Sequence, residues 1–268
     1  RKKFMKIKKI VTTTINLFYN FKPKIKELEK NKTILLLDFN PVQYEELLKS
    51  LSNSKNNILL LNQRRPAVWN YNSLQILRKT KCKSIELDDL QDKSLLKIIK
   101  NEKYELEKQL EKLWIKDKIF QEIFSIEDFS FWNVIKENFS HLTTTRFIET
   151  IERFFLLSKF FDKININIIL EWAHVGLEDK LIISMANKRK IPNMFLQHGL
   201  YIQNKKFDKY LPILPILPSE GSKHVVWGKI LKEHILNYNI KSDEVIEIGS
   251  PRHDKIFTEN NQNKKTNT

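Results

Sequence analysis

"TILLLDFN", residues 33–40, is an apolar run that ends abruptly in Asp38, Phe39 and Asn40. A strand with one wet face alternates apolar and polar side chains. A run without alternation needs cover on both faces, which is how strands of a parallel sheet sit. The next segment, "PVQYEELLKSLSNS", reads as a helix with Pro41 as a good first helical residue. "NNILLLNQRR" (56–65) is a second buried strand, "SLQILRKT" a short helix and "KSIELDDL" (83–90) a third strand. This alternation predicts an α/β protein with a Rossmann-like parallel sheet flanked by helices.

From about residue 93 to 163 the pattern turns helical, as an insertion into that rhythm. In "NEKYELEKQLEKLWIKDKIFQEIF", Leu106, Leu110, Leu113, Phe120 and Phe124 share a face at helical spacing. "SIEDFSFWNVIKENF" and "TTTRFIETIERFFLLSKFF" read as two more helices, whose aromatics suit a core better than a cofactor box. The α/β rhythm then resumes. "INIILEW" (166–172) is a strand, and "GLEDKLIISMANKRK" is a helix with acidic residues in its first turn and basic ones in its last. "NMFLQHG" is the next strand, "KYLPILPILPSEG" a loop, and "KHVVWG" (223–228) another strand. "KILKEHILNYNI" is a helix, and "EVIEIGSPRHDKIF" a strand entering a turn. Residues 31–257 are expected to form this domain, with 258–268 a polar, flexible linker.

Of the 268 residues, 47 are Lys or Arg against 32 Asp or Glu, a net charge of +15. Residues 1–30 hold ten of the basic residues against Glu27 and Glu29, so over half the excess sits in one helical arm. Such an arm suits anionic lipid, nucleic acid or an acidic substrate. Nucleic acid is the weaker match, because no nucleic-acid motif accompanies the charge. Cys82 is the one cysteine, which rules out an internal disulfide. No apolar run reaches the length of a membrane span. The glycine-rich dinucleotide fingerprint, the phosphate-binding loop, the nucleophile elbow, zinc spacing and a D-x-D pair are all missing, so no metal or bound cofactor is implied.

Ligands of open parallel sheets bind beyond the carboxyl ends of the strands. Asp38 and Asn40 follow the first predicted strand, and Asn62, Gln63, Arg64 and Arg65 the second. Glu171, Trp172 and His174 close "IILEW", Gln197, His198 and Gly199 follow "MFL", and Ser250, Arg252, His253 and Asp254 follow "IEIG". His198 suits a general base or a donor to an anionic oxygen, though a strand-end histidine also serves simply by bonding a carbonyl. Gly199 would let the backbone turn and bring its N–H to a ligand. Glu171 and His174, three apart, would pair as carboxylate and imidazole on a helical turn, or equally serve the entry to the next helix. Arg252 suits phosphate or carboxylate, and Asp254 would orient it or cap a helix. His224 and His234 read as surface or interface residues and His141 as a helix start.

"PNMFLQHGLY", "HVVWGKILKEHILNYNI" and "EVIEIGSPRHDKI" together resemble the middle of two-domain GT-B glycosyltransferases of surface and capsular polysaccharide synthesis. They are also similar to the CDP-glycerol glycerophosphotransferases of that fold. The matching positions are His198, Gly199, Gly228, Gly249, Pro251, Arg252 and Asp254, within residues 166–257. The resemblance implies inverting, metal-independent sugar transfer from a nucleotide-activated donor to a glycan or lipid-linked acceptor. It implies that this chain is the acceptor-side N-terminal half, with a donor domain beyond Thr268. It implies that His198 lies in the cleft as base or phosphate contact. The strand-end reading adds Glu171 as a second catalytic candidate, with Asp38, Asn40, His174, Gln197, Gly199, Ser250, Arg252 and Asp254 around the substrate or its phosphates. Leu200 and Tyr201 stand where the glycerophosphotransferases carry Thr-Pro, which favours sugar transfer over glycerol phosphate. A sugar-nucleotide epimerase of related fold is the other enzymatic reading. The setting expected is cytoplasmic, at the inner membrane face, with the basic arm on anionic lipid.

Overall fold

The computed structural model describes residues 25–173, 176–199 and 221–253. The first 24 residues of the basic arm, the proline-rich loop, the C-terminal tail, His174 and Asp254 lie outside them. The chain forms two compact units, one from the residues up to Glu86 together with those from Phe161 onward, the other Leu87–Phe160.

The first unit is built on a seven-stranded sheet, parallel throughout. After helix α1 (Ile25–Lys30) come β1 (Thr33–Leu37), α2 (Glu45–Ser52), β2 (Asn57–Leu61), α3 (Tyr71–Lys79) and β3 (Lys83–Ile85). The later half contributes β6 (Ile166–Glu171), α7 (Leu177–Lys188), β7 (Asn193–Leu196), β8 (Ser222–Val226), α8 (Lys229–Leu236) and β9 (Val245–Glu247). The strand order is β3-β2-β1-β6-β7-β8-β9. All five residues of β1 are buried, as an uninterrupted apolar run requires of a strand covered on both faces. Ile34, Leu36, Ile58, Leu60, Leu170, Leu196 and Val225 share one apolar cluster with Phe39, Tyr44 and Leu48. Across the other face a row runs in register from Leu37 through Glu171, Phe195 and His224 to Val245.

Helix ends follow local chemistry. Asn70 caps α3 by accepting the Ser73 N–H at 2.8 Å, while the Ser73 hydroxyl oxygen accepts the Asn70 N–H at 3.1 Å. Pro41 lies in a turn, and α2 begins only at Glu45. The third strand stops at Ile85 and passes into a short 3-10 turn, Leu87–Leu90.

The second unit holds α4 (Lys93–Trp114), α5 (Asp117–Ile123), a hairpin of β4 (Ser125–Ile126) and β5 (Phe129–Ser130), and α6 (Trp132–Lys163), whose last turn enters the first unit. Two helices were expected where the hairpin and the single 32-residue α6 stand. Glu127, at φ 55°, makes the hairpin turn without a glycine to announce it. Nothing between Trp132 and Lys163 is a Gly or Pro that would interrupt a helix. The helical face drawn through Leu106 and Phe124 is broken at Ile115 and Lys116, and of its members only Leu110 and Phe120 are buried. Trp132 is fully buried, stacked on Phe120 at 4.5 Å and on Phe124 at 5.4 Å, with its indole N–H on Asp117 at 2.8 Å. Trp132, Phe120 and Phe124 are therefore core, whereas Tyr104, Phe129, Phe147 and Phe154 are exposed.

Three histidine assignments change. His224 is a buried residue of β8 packed on Phe195 at 4.9 Å, and His234 is buried in α8. His141 sits well inside α6.

Candidate functional site

The chain leaves β1 toward β2 and β3 on one side, and its return places β6 and the later strands on the other. The connections therefore diverge between β1 and β6. At such a switch point the loops part and leave a crevice at the strand ends. A cleft of about 650 Å³ lies there. Asp38, Phe39 and Asn40 line it from β1, with Gln43 and Tyr44 from the turn before α2. Asn62, Arg64, Arg65, Pro66 and Trp69 line it from the loop after β2. Trp172, His198 and Arg252 complete it from the far side.

Backbone and side chains at the switch point are tied together. Asp38 adopts a left-handed φ of 56° that few residues other than Gly, Asn and Asp tolerate. Its Oδ1 accepts the N–H groups of Gln63 at 2.7 Å and Arg64 at 2.9 Å, which joins the ends of β1 and β2. Its carbonyl accepts the Trp172 indole N–H at 2.9 Å, which joins β1 to β6. The Arg64 guanidinium lies 3.6 Å from Asp38 Oδ2, donates to Asp179 and sits 5.9 Å from the Trp172 ring centre. Asp179, in the first turn of α7, also accepts the Gly176 N–H at 3.2 Å. A Cβ on Gly176 would fall 2.7 Å from that carboxylate, so a larger residue here would have to push the Asp179 side chain aside.

His198 packs edge-on to Trp172, with ring centres 5.5 Å apart. Arg252 Nη1 donates to the His198 carbonyl at 2.9 Å, across 54 residues of sequence. Gly249, at φ 89°, turns the chain so that Arg252 reaches back over β7. Burial lowers the pKa of His198, and the positive charge of Arg252 lowers it further. The imidazole is therefore neutral near neutral pH and free to accept a proton. Burial raises the Tyr44 hydroxyl pKa, against the pull of Arg252.

Of the residues expected at the site, Asp38, Asn40, His198 and Arg252 meet in the cleft. The other described ones take different places, and His174 and Asp254 lie outside the described residues. The Gln197 side chain bridges its own turn, donating to the Gly199 carbonyl at 2.8 Å and accepting the Trp227 N–H at 2.7 Å. Gly199 has no left-handed φ, and among the described residues a Cβ there would touch nothing, so the sharp turn expected of it is not what it supplies. Ser250 pairs with His253 at 2.8 Å, outside the cleft wall. Glu171 is fully buried on the face opposite the apolar cluster, and neither carboxylate oxygen has a hydrogen-bond partner among the described residues. Burial, with the nearby charge of Asp179, pushes its pKa up to about 8. Asp179 is itself raised to about 6 by burial and by Asp38, against the pull of Arg64. Glu171 thus carries a proton at neutral pH.

Trp69, Tyr44 and Gln43 also line the cleft and were not singled out from the sequence. Trp69 is 54% exposed, which is unusual for so large an apolar ring. A loop tryptophan four residues after two strand-end arginines was the signal available for it. Among the described residues, no cluster of three or more His, Cys, Asp or Glu side chains is arranged to hold a metal ion. No described helix is long and apolar enough to cross a membrane.

No protein-family model matches the chain, and no curated protein matches it. Among solved structures it is similar to UDP-GlcNAc 2-epimerase from Neisseria meningitidis bound to UDP-GlcNAc, at 14% identity over 88% of this chain and 51% of that one, with a TM-score of 0.42. It is also similar to UDP-N-acetylglucosamine 2-epimerase from Rickettsia bellii, at 9% identity over 85% of this chain and 48% of that one, with a TM-score of 0.36. The chain spans about half the length of both. Overlaps of that size carry no weight of their own. The α/β, Rossmann-like fold rests on the strand order and register.

Proposed function

We propose that this chain is the acceptor-side half of a nucleotide-sugar-dependent glycosyltransferase, with the switch-point cleft as its half of the active site. One observation carries the reading. The histidine of "QHG" and the arginine of "GSPR", the residues on which the resemblance rests, meet at 2.9 Å in the crevice where an open parallel sheet binds ligand.

The chemistry follows from the geometry. An acceptor hydroxyl in the cleft gives its proton to the neutral His198 ring. The resulting oxygen nucleophile attacks the anomeric carbon of the donor. The bond to the nucleotide diphosphate breaks, its electron pair leaves with the phosphate, and the configuration inverts. The donor would be held by a further domain outside this chain. Arg252 keeps the His198 backbone in place and its positive charge helps to hold the ring unprotonated. Asp38, locked by two backbone N–H groups and Arg64, fixes the opposite wall. The basic residues 1–30 would hold this half near anionic lipid at the cytoplasmic face, where lipid-linked acceptors lie. Deleting them should then abolish flotation with anionic liposomes, and unchanged flotation removes that part of the proposal.

The test is a product analysis with the complete protein and a nucleotide-sugar panel. Sugar covalently attached to an acceptor, lost by about 100-fold or more in His198→Ala, is the expected result. Free epimerised sugar formed without an acceptor would instead assign the epimerase reading, the activity named for the two solved structures above. Full transfer in His198→Ala would remove the histidine from the mechanism.

A further inference from the structure

The cleft carries more positive charge than its own contacts use. Among the described residues Asp38 is its one carboxylate, and that group is already engaged by the N–H groups of Gln63 and Arg64 and by the Arg64 side chain. Arg64 is in turn committed to Asp38 and Asp179. Two further guanidiniums face the same space, Arg65 from the loop after β2 and Arg252 from the turn after β9. Among the described residues neither has a carboxylate partner, and Arg252 donates to a neutral carbonyl. Unpaired arginines in a cleft select planar anions, because the guanidinium fork matches a carboxylate or a phosphate in two parallel hydrogen bonds.

The third element is Trp69. Its ring lines the cleft four residues beyond Arg65 and is 54% exposed. An indole face held at a cleft wall offers flat apolar area without hydrogen-bond demand, which fits the C–H face of a sugar ring. Asn40, Gln43 and Asn62 add amide groups on the same side, suited to hydroxyls.

We propose that the cleft takes an acidic saccharide, a sugar bearing a carboxylate or a phosphate, with the anion on Arg65 and Arg252 and the ring on Trp69. That this saccharide is an acceptor rests on the transfer reading above; that the cleft prefers an anionic sugar does not. The donor's own charge would be met elsewhere, so the acid group here belongs to the glycan.

The experiment is calorimetry on the 268-residue chain with four probes: a uronate-containing oligosaccharide, its carboxyl-reduced neutral counterpart, a hexose phosphate, and inorganic phosphate. The uronate oligosaccharide should bind about tenfold tighter than its reduced counterpart, as one charge-assisted hydrogen bond supplies, and added salt should narrow the gap. Arg65→Gln should bring the ratio toward one. Trp69→Ala should weaken both oligosaccharides alike and leave the ratio unchanged. Both side chains are exposed, so circular dichroism should show both variants folded as the parent is. A stronger response to hexose phosphate than to the uronate assigns the phosphate form of the same site. Equal affinity for the uronate and its reduced counterpart, no binding of any saccharide, or a ratio unmoved by Arg65→Gln overturns the proposal. Inorganic phosphate that displaces the saccharide while binding as tightly as it does would also overturn it, because the site would then recognise a bare anion. Transfer to a neutral acceptor by the complete protein would leave the transfer reading standing and remove this inference alone.

Discussion

The two ends of the sheet handle buried polarity in opposite ways. At the amino ends of β7 and β8, the buried Asn193 donates to Asn187 at 2.7 Å and accepts from the Ser222 hydroxyl, so neutral groups meet its polarity. At the carboxyl ends, charge is concentrated and left incomplete. Asp38 is in a left-handed conformation, Arg64 spans two carboxylates, and Glu171 is buried without a hydrogen-bond partner among the described residues. Satisfied amides stabilise a fold at any ordinary pH. Charges held under strain make stability depend on protonation, and folds keep them where binding and proton transfer take place. The contrast marks the carboxyl end as the working end.

Four substitutions break or sharpen that contrast. The largest effect belongs to Glu171→Gln. Its folded pKa of about 8 lies above the ordinary 4.5, so the folded state holds the proton more tightly than the unfolded chain does. Stability should then fall as pH rises from about 4.5 to about 8, by roughly 4–5 kcal/mol from this group. Denaturant titrations should show the slope in the parent up to about pH 8, and in the glutamine variant only the part below about pH 6 that Asp179 supplies. Arg64→Leu comes next. It strands Asp38 and Asp179 beside each other and should cost about 3 kcal/mol at neutral pH. Much of that loss should return in Arg64→Leu with Asp179→Asn, the readout being the coupling in a double-mutant cycle.

At the other end, Asn193→Ala should cost about 2 kcal/mol by leaving the buried Ser222 hydroxyl without its acceptor. Its cost should be the same at pH 5 and pH 8, unlike that of either change above. The smallest effect is Gly249→Ala. A Cβ there meets nothing, and only the φ of 89° opposes it, so thermal melts should show a loss of about 1 kcal/mol. Binding in the cleft should suffer more than stability, because the turn that delivers Arg252 is displaced.

The sheet was legible because its strands are apolar runs without alternation, "ILLL", "ILLL" and "IIL", each followed by polar residues. That same lack of alternation hid which face a strand residue takes. Leu170 joins the apolar cluster while Glu171, the next residue, lies on the opposite face, and both neighbours are buried. The hairpin at Ser125–Ser130 was not legible because its turn is made by Glu127 and Asp128 without glycine. In the cleft, Asp38, Asn40, His198 and Arg252 were visible as strand-end residues. Trp69 and Tyr44 lie in the segments just before α3 and α2, and only the folding of those loops over the strand ends brings them to the cleft.

The central claim is that saccharide binds at the β1–β6 switch point. It is tested most directly by the five indole N–H resonances of the chain, followed by NMR as neutral and acidic oligosaccharides are added. Trp69 and Trp172 line the cleft, whereas Trp114 and Trp132 are packed within the helical unit. The account predicts saturable shifts at Trp69 and Trp172, with Trp114 and Trp132 unmoved. Shifts confined to Trp114, Trp132 or Trp227, with Trp69 and Trp172 silent, would contradict it.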